Sequence, residues 1–147
     1  MGLFDNIFGG STAAKTIGKA EAFAGILLGA SACDGHISDE ETGSLLTTVG
    51  RMKLYEGITE NKWRSIVDQL FKILKKDGPE GLLNRCAKAL PDELRDTAFA
   101  NACDIILADG VVEDEEREYL DKVQKALEID GDTALTIVEV MIIKNKG

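Results

Sequence analysis

The sequence predicts an all-α fold: a single domain of about seven helices, bundle-like, with an internal helix-turn-helix duplication. Three observations lead there. Only Pro79 and Pro91 interrupt the chain, and no segment alternates strictly between apolar and polar side chains over six or more residues, so strands have little support. Apolar residues recur instead at i, i+3, i+4 and i+7, the spacing that lines one face of a helix. An acidic turn is written twice, as DGHISDEE at 34–41 and DGVVEDEE at 109–116, each after an apolar, Ala-rich stretch and before an amphipathic one.

Taken in order, residues 1–12 form an N-terminal segment and residues 13–147 the helical domain. Leu3, Phe4, Ile7 and Phe8 can share one short apolar helical face, suited to a membrane or a partner. MGLFDN has Asn6 where a myristoylation signal needs Ser or Thr. The first helix is expected from about Ala13 to Cys33, and its many small residues suggest a helix closely surrounded by neighbours. Ser38, three residues before Glu41, reads as a capping box opening a second helix from Asp39 to about Lys53. Thr59 can cap a third, whose apolar face is Trp63, Ile66, Val67, Leu70, Phe71 and Leu74. Asp77-Gly78-Pro79 ends it and begins a short fourth helix near Glu80 to Ala89. Pro91 opens a fifth, from Asp92 to about Ala108, carrying Leu94, Phe99, Cys103, Ile106 and Leu107. A sixth runs from about Asp114 to Leu127 and a seventh from about Asp132 to Lys144. The short connections imply antiparallel neighbours.

A chain of 147 residues with 44% hydrophobic and 29% charged residues buries an ordinary core without disulfides or metal as a staple. Cys33, Cys86 and Cys103 are an odd set without zinc-knuckle spacing, so a reducing cytoplasm is the expected location. No run approaches the roughly 20 apolar residues that span a bilayer. The formal charge of −9 argues against nucleic acid as a partner. From Asp104 to Asp132 there are eleven acids and three bases, whereas from Lys62 to Lys88 there are seven bases and three acids. The two stretches are either ordinary solvated helix faces, or a cation-attracting face and a face for an acidic partner.

Aligning Asp34 with Asp109 superposes Gly35 on Gly110, Ile37 on Val112, Asp39 on Asp114, Glu40 on Glu115, Glu41 on Glu116 and Leu45 on Leu120. The spacing reproduces the second half of a calcium-binding EF-hand loop, in which Gly makes the bend and Glu closes the site. The first half is missing: Ala30 and Ala32 in one copy, Ile105 and Leu107 in the other, stand where the leading carboxylates belong. A pseudo-twofold that brings the turns together would pool Asp34, Glu41, Asp109 and Glu116 on a divalent cation (calcium, magnesium or zinc), joined by His36 if the metal is zinc-like. Proximity of Asp34 to Asp109 is therefore the expectation on which a metal reading depends. The bland alternative is that Asp and Gly make a turn and the acids complement a helix dipole.

Enzyme chemistry has little to stand on. There is no Glu-x-x-His pair, no Gly-x-Ser-x-Gly and no phosphate-binding glycine loop, and the single histidine, His36, sits in a turn without an evident partner. The cysteines read as small buried hydrophobes, with thiol chemistry near the acidic turns as the alternative.

Ala32-Cys33-Asp34-Gly35-His36-Ile37-Ser38 with Glu41, and Leu107-Ala108-Asp109-Gly110-Val111-Val112 with Glu116, each followed by a helix, resemble the twin turns of the tellurite-resistance TerB family. The likeness covers about Ala13 to Lys144. It implies an all-helical fold of about seven helices, no known catalytic activity, and a role in bacterial resistance to tellurite and related chemical stress. It also implies a metal site at Asp34, Glu41, Asp109 and Glu116. Protein partners would include membrane-associated stress-resistance proteins, with the chain cytoplasmic or peripheral at the inner face of the membrane. No small-molecule substrate is indicated. The expectation is thus a non-catalytic module binding a divalent cation, a protein partner, or both. A structural scaffold without metal and a thiol-dependent enzyme that reduces an oxyanion are the competing readings.

Overall fold

The computed structural model describes residues 17–33, 39–108 and 110–146, and among them every regular element is helical. There are six α-helices: α1 (Lys19–Ala32), α2 (Asp39–Val49), α3 (Glu60–Ala89), α4 (Arg95–Leu107), α5 (Asp114–Ala126) and α6 (Gly131–Lys144). Single 3-10 turns at Lys53–Tyr55 and Asp92–Leu94 precede α3 and α4. No helix among the described residues is long and apolar enough to cross a membrane.

Among the described residues the count is six where seven were expected, because the third and fourth predicted helices run on as α3 across a kink. The expected break is nevertheless inside it. Gly78 has φ 77 and ψ 175, a backbone region closed to residues with a Cβ, and Pro79 then opens the second half without needing an N–H partner. Arg85 pairs with Asp77 across the break at 3.2 Å. Thr59 caps the start of α3 as predicted, accepting from the Lys62 N–H at 3.1 Å, a contact that stabilises a helix by about 1 kcal/mol.

Helix α1 is the centre of the molecule and packs against α2, α3, α4 and α5. Ala22 to Leu28 are all buried, as is Ala30. Such an all-round apolar helix belongs inside a core, which accounts for its small residues. A Cβ on Gly25 would strike Cys86 Sγ of α3, and one on Gly29 would strike the Tyr119 hydroxyl of α5. Tyr119 uses that closeness to donate to the Ile26 carbonyl at 2.6 Å, bridging 93 positions of sequence. At the other end of α1, Tyr55 donates to the Ala20 carbonyl at 2.6 Å. Its ring stands edge-on to Phe23 and Trp63, with centroids 6.3 and 6.0 Å away. Two phenols thus tie α1 to separate parts of the chain.

Several boundaries differ from expectation for local reasons. Helix α1 begins at Lys19 rather than near Ala13, because Gly18 is extended and accepts from the Ala22 N–H as the cap position. Helix α2 stops at Val49, four residues early, where Gly50 follows; the chain then bends through Lys53–Tyr55 to carry Tyr55 under α1. On α3 the buried seam is Trp63, Ile66, Val67, Leu70 and Ile73, continued by Leu82, Leu83, Cys86 and Ala87. Phe71 and Leu74, expected on that seam, are only half-buried, and Ile73 takes the place next to the core. On α4, Phe99, Cys103 and Ile106 are buried as expected, with Leu94 and Leu107 at its edge.

Helices α4 and α5 run antiparallel, since Arg95 at the start of α4 donates to the Leu127 carbonyl at the end of α5 at 2.7 Å. The same guanidinium pairs with Glu128 and Asp92, each at 3.1 Å. Helix α6 follows α4 in the same sense and closes on Asp104, which receives Lys144 Nζ at 3.1 Å and Asn145 Nδ2 at 2.8 Å. Asp130 caps α6 by accepting from the Asp132 and Thr133 N–H groups.

Candidate functional site

The two helices that follow the acidic turns start at aligned residues, Asp39 in α2 and Asp114 in α5. Of the five residues expected to hold a cation, Asp34, His36 and Asp109 lie outside the described residues, and so does the spacing of Asp34 from Asp109. Glu41 falls at the third position of α2. Glu116, at the third position of α5, is the one whose carboxylate is placed: its Oε1 accepts from the Glu113 N–H at 2.8 Å. That contact is one arm of a capping box, the device expected at Ser38 and Glu41 and found here in the second copy. Glutamate is an uncommon residue at the cap, so Glu113 was not read as one; the Glu-x-x-Glu spacing was the available signal.

Gly110 has φ 78, the bend that the sequence assigned to the glycine of this turn. Beyond it Glu113, Asp114 and Glu115 are exposed and Glu116 is half-buried. This concentration of negative charge complements the partial positive charge at the start of α5. The cap uses one lone pair of Glu116 Oε1, and the carboxylate's other lone pairs remain for a cation. Among the described residues no three His, Cys, Asp or Glu side chains gather as a metal-holding group.

Helices α2 and α5 bury different registers of the alignment. Leu45 and Val49 are buried on α2, whereas on α5 it is Tyr119 and Val123, each one position before the aligned residue. Leu120, the aligned partner of Leu45, is only half-buried. On α5 this register sets the Tyr119 ring over Gly29.

A second feature was not read from the sequence. Between α2 and the first half of α3 lies an open groove of about 540 Å³, lined by Gly43, Leu46, Glu60, Trp63, Arg64, Val67, Asp68 and Phe71. Its floor is the apolar stripe of α3, which periodicity alone assigns to the core. Of that stripe Trp63 and Val67 are buried and Phe71 is half-buried, so the groove opens beside Phe71. On the solvent side Arg64 is flanked by Glu60 and Asp68, and Lys72, Lys75 and Lys76 follow farther along α3, all exposed. The basic stretch meets the acidic one where Lys122 of α5 pairs with Glu80 at 2.7 Å. This contact lowers the Glu80 carboxyl and raises the Lys122 amine, chiefly through their shared hydrogen bond.

The cysteines sit apart from this groove. Cys86 and Cys103 are buried and free, and burial pushes both thiols up to about 12. A thiol held protonated in this way is a poor nucleophile at neutral pH. Cys33, half-buried at the end of α1, donates to the Ala30 carbonyl at 3.3 Å. Burial likewise raises the Tyr119 phenol well above its ordinary value.

No protein-family model, no curated protein and no solved structure was found to match the chain.

Proposed function

We propose that this chain is a non-catalytic binding module of the TerB kind, serving bacterial resistance to tellurite or a related chemical stress from the cytoplasm. The observation that carries the proposal is the groove between α2 and α3, an apolar floor edged by Arg64, Glu60 and Asp68, with Lys72, Lys75 and Lys76 exposed farther along the same helix. Its fit is to an amphipathic helix of a protein partner, apolar toward Trp63, Val67 and Phe71 and acidic toward Arg64, Lys72 and Lys75. The twin acidic turns are the second half of the proposal. Asp34, Glu41, Asp109 and Glu116, with His36 for a zinc-like ion, would hold a divalent cation shared between the two copies. Membrane-associated stress proteins, the partners implied by the family likeness, would present such helices at the inner face of the membrane.

Trp63 is the only tryptophan and lies in the groove, so its emission reports occupancy directly. A synthetic amphipathic helix with an acidic flank should shift that emission, and Arg64→Glu should weaken the effect about tenfold, the loss of one ion pair at a desolvating edge. No change in emission at millimolar peptide would end the partner reading. Isothermal titration with calcium, magnesium and zinc tests the turns independently. Heat that disappears in the Asp34→Asn, Asp109→Asn double variant supports the cation, and none at millimolar metal removes it.

One observation favours a scaffold without metal: Glu116 already serves as a helix cap. On that reading the same double variant leaves stress protection intact. The thiol-enzyme reading is opposed by the raised pKa values of Cys86 and Cys103, and full protection by a cysteine-free chain would eliminate it.

A further inference from the structure

Helix α6 carries more apolar surface than the fold uses. Its seam against α4 is Ala134, Ile137, Val138 and Met141, of which only Ala134 is buried. Leu135, Val140, Ile142 and Ile143 point elsewhere and are 58%, 49%, 45% and 69% exposed. Leu135, Ile142 and Ile143 stand at i, i+7 and i+8, so they form one stripe beside the α4 seam, with Glu139 at i+4 between them. Isolated exposed apolar residues need no explanation, but several aligned along one helix mark a surface that is covered in use.

The charges at the two ends of α6 identify what covers it. Asp130 and Asp132 stand at its start, Lys144 and Lys146 at its end, and all four are exposed. The helix dipole has the opposite sense, with about half a charge at each end against two full side-chain charges, so the side chains set the sign and two such helices attract when antiparallel. We propose that α6 pairs with α6 of a second copy of this chain, antiparallel about a twofold axis. With the axis at Glu139, Leu135 faces Ile143 of the second copy, and Asp132 faces its Lys146. Each contact occurs twice, as an isologous interface requires. Glu139 falls on the axis opposite its own mate, which keeps the association weak and dependent on concentration. This inference is independent of the groove and of the acidic turns, which lie on other elements.

The test is sedimentation equilibrium of the full chain over a wide concentration range. The average mass should rise from 15.9 kDa toward twice that value. Leu135→Ser with Ile142→Ser should leave a monomer whose helical circular dichroism and melting are unchanged, because both side chains are exposed. Asp132→Lys alone and Lys146→Glu alone should each weaken the dimer severalfold, and the two together should restore it. Glu139→Gln should tighten it by several fold. A chain that stays monomeric at millimolar concentration overturns the proposal. So does a dimer insensitive to the serine changes, which would place the interface on another face, or a double charge swap that fails to restore pairing, which would rule out the antiparallel register.

Discussion

Alanine at Gly29 separates two opposed physical effects, and the geometry decides their sign. In an isolated helix the change stabilises by about 1 kcal/mol, because alanine loses less backbone freedom than glycine. In this fold the new Cβ overlaps the Tyr119 hydroxyl and comes within 2.7 Å of its ring carbon Cζ. The ring cannot simply swing away, since its hydroxyl is held by the Ile26 carbonyl at 2.6 Å and its surroundings are fully packed. Overpacking of this kind costs about 1–3 kcal/mol, and release of the hydrogen bond adds about 1 kcal/mol. Net destabilisation of about 1–3 kcal/mol follows, equivalent to roughly 2–10 °C in Tm for a chain of this size. Urea denaturation of Gly29→Ala, Tyr119→Phe and the double variant gives the coupling directly. Tyr119→Phe alone should cost about 1 kcal/mol, and Gly29→Ala should cost less in its background because the ring is no longer tethered. A stabilised Gly29→Ala, or additive variants, would show that α5 does not lie across α1. The placement of the second acidic helix beside the end of α1 would fall with it.

Gly78→Ala should destabilise by about 1–3 kcal/mol through backbone conformation alone, because φ 77 with ψ 175 is closed to alanine while no atom lies near the added Cβ; an unchanged Tm would refute the break in α3. The buried thiols of Cys86 and Cys103, raised from 9.0 to about 12, make folding favour the protonated form. Their stabilisation is whole below about pH 9 and is lost progressively as pH rises from 9 toward 12. Urea midpoints should therefore fall steeply over that interval, less so in Cys86→Ala, and a flat profile would contradict the burial. A thiol reagent at neutral pH should label Cys33 well before Cys86 and Cys103; rapid labelling of all three in native protein would reverse that order. Arg95→Ala removes the bond to the Leu127 carbonyl and should cost about 1.5–3 kcal/mol by thermal melting, as expected for a charge-assisted contact.

What the sequence determined by itself was whatever depends on residues three or four apart. The cap at Thr59, the break at Asp77-Gly78-Pro79, the amphipathic seam of α3 and the starts of α5 and α6 within a residue are all set by local backbone sterics and helical periodicity. The crowding of α1 was equally legible, since its small residues serve only a helix with close neighbours. The repeated acidic turn was legible as a pattern. Its cap at Glu113 was not, because the side chain there departs from the usual cap residues.

Tertiary structure decided which faces meet, and periodicity carries no information about that. Tyr119 reaches Ile26 across 93 positions, and Tyr55 reaches Ala20 across 35. The buried register of α5, at Tyr119 and Val123, is one residue off that of α2, at Leu45 and Val49. The groove opens beside Phe71, the half-buried member of its apolar floor, a matter of how two helices lie against each other. Helix α6 shows the same division: its sequence gives an apolar helix, and only the packing shows that α4 covers one side of it. An apolar residue reads the same in sequence whether its neighbour is the core, a partner or water, because the hydrophobic effect has no direction until the other surface is in place.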